Sequence, residues 1–327
     1  MLKGIKKFIK SKLRPKKSPF ARWLYRWLYM KYDDIKCFRH RHMTYTQIEA
    51  EIGRRYQSVF GRPLDWDNPK TYTEKLNVAK IYMPTPLKTK LADKVAAREW
   101  IAENIGSEYL VPLLGVYGSF DEIDFDALPE QFVIKCNHDC GSVTLVKDKG
   151  KIDRDALRKK YARCMRRNWA WMNLEMHYRE ITPKIMVEQF IGDSINEYKF
   201  YCFNGKPCYC FTTFGQRHVN LTINFYDMNW QVAAFTRPDH KAHINLVERP
   251  AKYNEMKAIA SKLCEGFEHV RVDLYVAGGN IYNGEMTFTT AGGFGRLSPD
   301  EWDYRLGDLW PFDTSIRRKV LAEHSRP

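Results

Sequence analysis

The N-terminal segment combines apolar and basic residues at helical spacing. One stripe precedes Pro15, and its apolar members recur every three or four positions: Leu2, Ile5, Phe8, Ile9 and Leu13. A second stripe follows Pro19 and consists of large apolar residues: Phe20, Trp23, Leu24, Trp27 and Leu28. Lysine and arginine fill the intervening positions, so the pattern predicts a basic amphipathic helical arm over residues 1–43.

The rest of the chain alternates between helical and strand periods. Helices are predicted at five places: 44–60, 72–81, 87–104, 153–168 and 250–265. A first strand is predicted at 109–117. Next come two paired strands, one that ends at Lys135 and one that returns to Lys147. Further strands are predicted at 184–191, 195–203, 207–214, 221–227 and 231–236, and a hairpin is predicted at 271–287. Because the strands come as hairpins between helices, the pattern indicates an α+β fold.

Charge is concentrated in the arm. The 327 residues carry a net charge of +14, and residues 1–42 hold fourteen Lys and Arg against Asp33 and Asp34. The body continues no basic track, so a nucleic-acid partner is not expected. No apolar run approaches the ~20 residues of a membrane span. Residues 1–31 are predicted to bind an anionic membrane surface, the alternative being a helix that packs on its own domain.

Eight cysteines are scattered without the paired spacing of a zinc site or a disulfide framework. They are therefore interpreted as reduced and mostly buried thiols, which favours a cytosolic protein. Together with the arm, this predicts a cytoplasmic protein that is peripheral on the inner face of the membrane.

The segment RVDLYVAGGNIYNGEMT, residues 271–287, contains the strongest candidate chemistry. Strand alternation places Arg271 and Asp273 on one face, and a hairpin brings Glu285 beside them. Two carboxylates supply hard oxygen ligands for Mg²⁺, and an arginine offers a planar fork to phosphate oxygens. The alternative is a surface hairpin with scattered charges.

Three further segments fit a nucleotide. Lys135 precedes a loop in which the amides of Gly141 and Ser142 can donate to phosphate oxygens, although a Gly-Ser turn by itself is more often a plain hairpin. The strand IMVEQFI ends in Glu188–Ile191, where the carboxylate of Glu188 and an exposed strand backbone suit an adenine edge. Glu197 and Lys199 then share one strand face, which suits a ribose hydroxyl and a phosphate or, alternatively, an ordinary ion pair.

The order of these segments resembles the TupA-like ATP-grasp family, whose fold clamps ATP between two α+β subdomains. The resemblance covers about residues 44–310 and is carried by five segments: LADKVAAREW, FVIKCNHDCGS, VEQFIGDSINEYKFYCFNGKP, INFYDMNW and RVDLYVAGGNIYNGEMTFTTAGGF. It implies a helical or α+β region at 44–130, a small phosphate-loop subdomain at 131–192, and a large subdomain with the Mg²⁺ and substrate site at 193–327.

The resemblance also implies residue roles. The nucleotide contacts are Lys94 and Lys135 for the phosphates, the loop His138–Ser142 including Gly141 that closes over them, Glu188 with the backbone of Gln189, Phe190 and Ile191 for adenine, and Glu197 for the ribose. Asp273 and Glu285 would hold Mg²⁺, and Arg271 would stabilise charge on the transferring phosphoryl group. Thr287 stands where many ATP-grasp enzymes have asparagine, so it is the candidate ligand for a second ion.

The implied activity is that of an ATP-dependent carboxylate–amine ligase that forms an amide through an acylphosphate. The family is linked to bacterial surface polysaccharides, so a uronic-acid sugar and an amino acid are the expected substrates. Cationic candidates for binding them are Arg217, His218, His243 and Arg296, and for each histidine a structural or surface role is the more common alternative.

Three other functions remain open from the sequence: a glycosyltransferase, a sugar kinase and a membrane-docked ATP-binding scaffold without activity. Glycosyltransferases often use an Asp-x-Asp metal site, which occurs here at Asp65/Asp67, Asp124/Asp126 and Asp153/Asp155. All three pairs lie in turns or at helix starts, where aspartate commonly caps helices.

Overall fold

The computed structural model describes residues 19–193, 195–214, 222–242 and 248–324. Its helices are α1 (Pro19–Arg41), α2 (Tyr45–Phe60), α3 (Tyr72–Tyr82), α4 (Pro86–Ala92), α5 (Ala97–Ile105), α6 (Arg154–Met165), α7 (Trp169–Asn173), α8 (Tyr253–Cys264), α9 (Glu301–Asp308) and α10 (Ile316–His324). Its strands are β1 (Leu113–Tyr117), β2 (Phe132–Cys136), β3 (Thr144–Val146), β4 (Ile185–Gln189), β5 (Asn196–Phe203), β6 (Lys206–Phe214), β7 (Thr222–Asp227), β8 (Lys241–Ala242), β9 (His269–Ala277) and β10 (Asn280–Thr287).

The strands form two sheets. A four-stranded sheet has the order β1-β4-β2-β3, and every pair in it is antiparallel. A six-stranded sheet has the order β10-β9-β5-β6-β7-β8, in which only the described pair β7–β8 is parallel. Helices and antiparallel hairpins are thus mixed, which confirms the predicted α+β class. The subdomain boundaries proposed from the sequence stay a prediction.

The two faces of the six-stranded sheet have different roles. On one face, Phe200 and Val272 pack against Met256 of α8 in a core of fully buried side chains. On the other face, Tyr201 packs with Tyr72 of α3 and with Phe225. Because side chains alternate along a strand, Lys199, Arg271 and Asp273 share the second face with Tyr201. Helix α3 covers only part of that face, and the polar end remains available for a site.

The predicted helix at 87–104 is interrupted, and the structure corrects it to two helices. The carboxylate of Asp93 accepts hydrogen bonds from the amides of Val95 at 2.9 Å and Ala96 at 3.2 Å. Aspartate competes with the helical ladder through such local bonds. Lys94 therefore lies at the break between α4 and α5 rather than on a continuous helix.

Three other predicted elements are shorter in the structure. The strand predicted at 231–236 is reduced to isolated bridges, Tyr226 with Val232 and Thr236 with Ser298. The helix predicted at 153–168 ends at Met165 and is followed by the separate α7. The strand predicted at 109–117 begins only at Leu113, because Ser107–Tyr109 form a 3₁₀ turn.

The arm is helical in its described part, and α1 continues well beyond the predicted apolar stripe. Its carboxyl end is held against the body: His40 Nδ1 lies 2.7 Å from the carbonyl oxygen of Trp171, and Arg167 Nη2 lies 3.4 Å from Asp33 Oδ2. Within the described residues, no helix has the length and apolarity needed to cross a membrane. Residues 1–18 lie outside the described part of the chain.

Candidate active site

A β-bulge sets the register of the predicted hairpin. Glu285 pairs with Asp273 and Thr287 with Arg271, whereas Asn283 pairs with Leu274, so Gly284 is an extra residue on β10. A Cβ at position 284 would lie 2.6 Å from the ring of Tyr275, which only glycine avoids. The bulge therefore turns Glu285 onto the same face as Asp273 and leaves room for the tyrosine ring.

Asp273 is the centre of a charged cluster on β9 and β5. Arg271 Nε and Nη2 donate to its two oxygens at 2.6 and 2.7 Å, and Lys199 Nζ donates to Oδ2 at 2.8 Å. The side chain is only 4% exposed. Burial raises the pKa of Asp273, but the charges of Arg271 and Lys199 outweigh it and hold the pKa below its usual value. The carboxylate is thus ionised and fixed in orientation.

Thr287 connects this cluster to Glu285. Arg271 Nη2 donates to Thr287 Oγ1 at 3.0 Å, and the hydroxyl donates in turn to Glu285 Oε1 at 3.0 Å. The three residues predicted for Mg²⁺, namely Asp273, Glu285 and Thr287, therefore belong to one network. Their oxygen atoms are the hard donors that Mg²⁺ prefers, and a carboxylate such as Asp273 that accepts three hydrogen bonds still has a lone pair for a metal.

Glu197 lies beside the same cluster. Lys199 Nζ contacts Glu197 Oε2 at 3.1 Å, and Thr213 Oγ1 donates to that oxygen at 3.2 Å. Glu197 is 37% exposed at its side chain, whereas Lys199 is 14% exposed. Glu197 consequently presents a carboxylate to solvent, while Lys199 is held between two acids.

The two sheets enclose a cavity of about 300 Å³. Seven predicted residues line it: Lys94, Lys135, Glu188, Gln189, Ile191, Glu197 and Glu285. Apolar side chains from both sheets, from α5 and from the adjoining loops also line it: Ile101, Leu110, Val133, Val143, Leu145, Ile195 and Met286. A largely apolar cavity with a few polar groups at one end is typical of a nucleotide or cofactor site.

Glu188 is engaged by two cations at the inner wall of the cavity. Lys135 Nζ lies 2.6 Å from Glu188 Oε2, and Arg98 Nη1 lies 3.5 Å from Oε1. Arg98 was not predicted, although it follows Lys94 by four residues in the quoted LADKVAAREW segment. The amide of Gln189 donates to the carbonyl of Pro112 at 2.9 Å. Phe190 is absent from the described cavity lining; its ring lies 6.0 Å from Lys147 Nζ.

The loop after β2 is tied back to the body. Lys94 Nζ donates to the carbonyl of Asp139 at 2.7 Å, and Ser142 Oγ donates to Asp139 Oδ1 at 2.5 Å. Gly141 has φ +107°, a region that favours glycine. His138 is buried on the helical side, where Nε2 lies 3.0 Å from the carbonyl oxygen of Arg167. Burial lowers the His138 pKa, so the ring is neutral.

A second pair of charged residues, Lys80 and Glu175, was not predicted, and the negative charge of Glu285 contributes to the raised pKa of Glu175. Lys80 Nζ donates to Asn77 Oδ1 at 2.6 Å and to the carbonyl of Gly292 at 2.9 Å. Glu175 is buried, and burial raises its pKa to about 7, while burial lowers that of Lys80 to about 7. Among the described ion pairs within 4.0 Å, none joins these two groups. No sequence motif marks Glu175, which lies 110 residues before Glu285.

Among the other candidates for substrate binding, the structure describes Arg296 alone. Arg296 is 49% exposed, and its Nη2 lies 3.5 Å from Asp300 Oδ1. Arg217, His218 and His243 lie outside the described residues. The turn at 290–293 is pinned to α3, since Asn77 Nδ2 donates to the carbonyl of Gly293 at 2.7 Å.

A sequence profile described as TupA-like ATPgrasp matches residues 74–310, more than two thirds of the chain. The chain belongs to the TupA-like ATP-grasp family. The matched range includes every described site residue named above. The ATP-grasp fold expected from the sequence is thereby confirmed. ATP-grasp ligases are enzymes that use ATP and Mg²⁺. None of the curated proteins matches the TupA-like chain in sequence.

Solved structures that resemble this TupA-like chain include three ligases. D-alanine–D-alanine ligase from Bacillus anthracis is 18% identical over 71% of this chain and 66% of its own, with TM-score 0.37. D-cycloserine synthetase DcsG is 14% identical over 80% and 86%, with TM-score 0.38. The ATP-grasp ligase PsnB, complexed with a minimal precursor, is 10% identical over 63% and 54%, with TM-score 0.37. The chain thus spans only about half of PsnB, and scores this low carry no argument about activity.

Proposed function

We propose that this chain is an ATP-dependent carboxylate–amine ligase that attaches an amino acid to a uronic-acid sugar in the synthesis of a bacterial surface polysaccharide. The observation that carries the proposal is the Arg271–Asp273–Glu285 network at one end of the cavity between the sheets. Family membership supports the ligase class. Adenine and ribose bind in the apolar part of the cavity, near Glu188 and Glu197.

The chain's own residues account for positioning and charge. Lys94 and Lys135 face the phosphates with the loop His138–Ser142, and Arg271 and Lys199 stabilise negative charge at the transferring group. Bound Mg²⁺ would be held by Asp273 and Glu285, with Thr287 beside them, and would neutralise phosphate charge. The substrate carboxylate attacks the γ-phosphorus, the bond to ADP breaks, and an acylphosphate results.

The second half of the reaction uses the region of Lys80 and Glu175. The amine attacks the acyl carbon, the carbon–nitrogen bond forms, and inorganic phosphate leaves while nitrogen loses a proton. Lys80 and Glu175 are proposed to bind the acidic and amino substrates there, because both side chains are buried without an ion pair to each other. Since burial raises the Glu175 pKa to about 7, its carboxylate can accept that proton near neutral pH.

The deciding experiment supplies Mg-ATP with uronic-acid sugars and amino acids, separately and in pairs. We expect ADP and inorganic phosphate only when an acid and an amine are both present, with an amide product of matching mass. ADP formed without free phosphate would instead identify a sugar kinase. Turnover of a nucleotide sugar alone would identify a glycosyltransferase, and ATP binding without any turnover would identify a scaffold.

The arm is proposed to bring this chemistry to an anionic membrane on the cytoplasmic face. Deleting residues 1–18 is expected to abolish most binding to anionic vesicles, because eight of those residues are Lys or Arg. Sedimentation with anionic vesicles measures the bound fraction of each form, and zwitterionic vesicles provide the control. Unchanged binding by the shortened chain would contradict the proposal, whereas ATP turnover in solution should be the same in both forms.

A further inference from the structure

Two cysteines and an aspartate meet behind the loop that follows β2. Cys136 is the last residue of β2, Asp139 lies in the loop, and Cys164 is in the last turn of α6. Their two Sγ atoms and one carboxylate oxygen all lie within 4.8 Å of one another. Within the described residues, no other set of three His, Cys, Asp or Glu side chains is grouped in this way.

Neighbouring side chains hold the three groups in place. Ser142 Oγ donates to Asp139 Oδ1 at 2.5 Å and accepts from the amide of Cys136 at 2.8 Å. His138 Nε2 lies 3.2 Å from the carbonyl oxygen of Cys164 and so fixes the end of α6 against the loop. Supporting contacts of this kind orient the ligands of protein metal sites. The group is therefore built into the fold rather than assembled from free surface side chains.

The two sulfurs lie in the same small volume as a carboxylate oxygen of Asp139. Cysteine binds metals as the thiolate, so three anionic donors would converge on a bound cation. The nearby carboxylate also distinguishes the group from a simple redox pair, because a disulfide uses only the two sulfurs.

We propose that Cys136, Asp139 and Cys164 bind a thiophilic divalent cation of the Zn²⁺ class, with water as the fourth ligand. Two sulfurs and one oxygen in a small volume match the mixed donors and tetrahedral preference of such ions. Mg²⁺ prefers oxygen alone, so this site and the one at Asp273 select different metals. The bound ion would connect β2, the loop His138–Ser142 and α6, and its binding would release the protons of the two thiols.

The test titrates the reduced full-length protein with Cd²⁺, without nucleotide, and follows thiolate-to-metal absorbance in the ultraviolet. We expect saturation at one ion per chain. Cys164→Ser should lower the affinity by more than about tenfold and remove part of the absorbance. Asp139→Asn should lower the affinity while leaving the absorbance of the saturated protein intact, because both sulfurs remain.

Cys264→Ser is the matched control. Cys264 accepts a hydrogen bond from a second cysteine, Cys202, but no carboxylate is grouped with that pair. The Cys264→Ser variant should bind Cd²⁺ with the affinity of the parent protein. Circular dichroism should show that every variant is folded. The proposal is overturned if the folded parent gives no charge-transfer band, if Cys264→Ser weakens binding as much as Cys164→Ser does, or if the pair only forms a disulfide with peroxide. Because nucleotide is omitted, none of these outcomes depends on the ligase reaction.

Discussion

Asp273→Asn is expected to lower ATP turnover by at least about 10³-fold, because it removes a charged ligand and leaves phosphate charge without its counterion. The asparagine keeps the shape of the side chain, so the cavity itself should change little. The measurement is ADP release from Mg-ATP with the acid and amine that support turnover by the parent. Turnover near the parent value would show that Asp273 does not hold the metal.

The same substitution should also lower stability, and that effect has to be separated from catalysis. Asp273 is nearly buried between Arg271 and Lys199, and removing one partner of a buried ion pair typically costs about 3–5 kcal/mol. Because the folded pKa of Asp273 lies below 3.8, its contribution is complete above the pKa of the unfolded chain and disappears as the pH falls through the folded pKa. Thermal unfolding of the parent and of Asp273→Asn at neutral pH measures this contribution to stability.

Asp303→Asn provides the matched control for this test. Asp303 is 5% exposed and accepts hydrogen bonds from Arg62 Nη2 at 2.8 Å and Thr73 Oγ1 at 2.6 Å, away from the cavity. Burial raises its pKa, so neutralising it should cost less stability than at Asp273. Turnover per folded molecule should match the parent. Equal losses of turnover in both variants would attribute the effect to folding rather than to metal binding.

The part of the site that depends on strand alternation was accessible from the sequence. Arg271 and Asp273 are two residues apart, as are Glu197 and Lys199, and a period of two places each pair on one face. Asn204-Gly205 and Gly278-Gly279 fixed the turns that bring those strands together, since such dipeptides favour hairpins. The predicted proximity of Asp273 and Glu285 therefore needed only local rules.

Other features depend on packing that local patterns do not contain. The bulge at Gly284 accommodates the ring of Tyr275 on the neighbouring strand. Glu175 reaches the region of Glu285 only through the tertiary fold. Cys136 and Cys164 belong to a strand and a helix without a shared motif, so the eight cysteines looked unrelated.

Arg271→Lys is expected to lower ATP turnover about 10²–10³-fold with a much smaller effect on stability. The guanidinium reaches both oxygens of Asp273 through Nε and Nη2, and Nη2 also reaches Thr287 at 3.0 Å. A lysine keeps the positive charge that lowers the Asp273 pKa, but its single ammonium cannot reproduce the planar fork. ADP release and thermal unfolding, measured on the same preparations, separate the two effects.

Thr287→Val shows which contact of the fork matters. Valine has the shape of threonine but lacks the hydroxyl that links Arg271 to Glu285, so a loss of about tenfold is expected, equivalent to one hydrogen bond of about 1.4 kcal/mol. If Arg271→Lys lost no more than Thr287→Val, the arginine would serve only to orient Glu285. A loss of turnover ten to a hundred times larger than that of Thr287→Val would show that the planar guanidinium itself is needed, because the lysine variant keeps a positive charge beside Asp273. That difference distinguishes an arginine that acts on the transferring phosphoryl group from one that only supports the metal ligands.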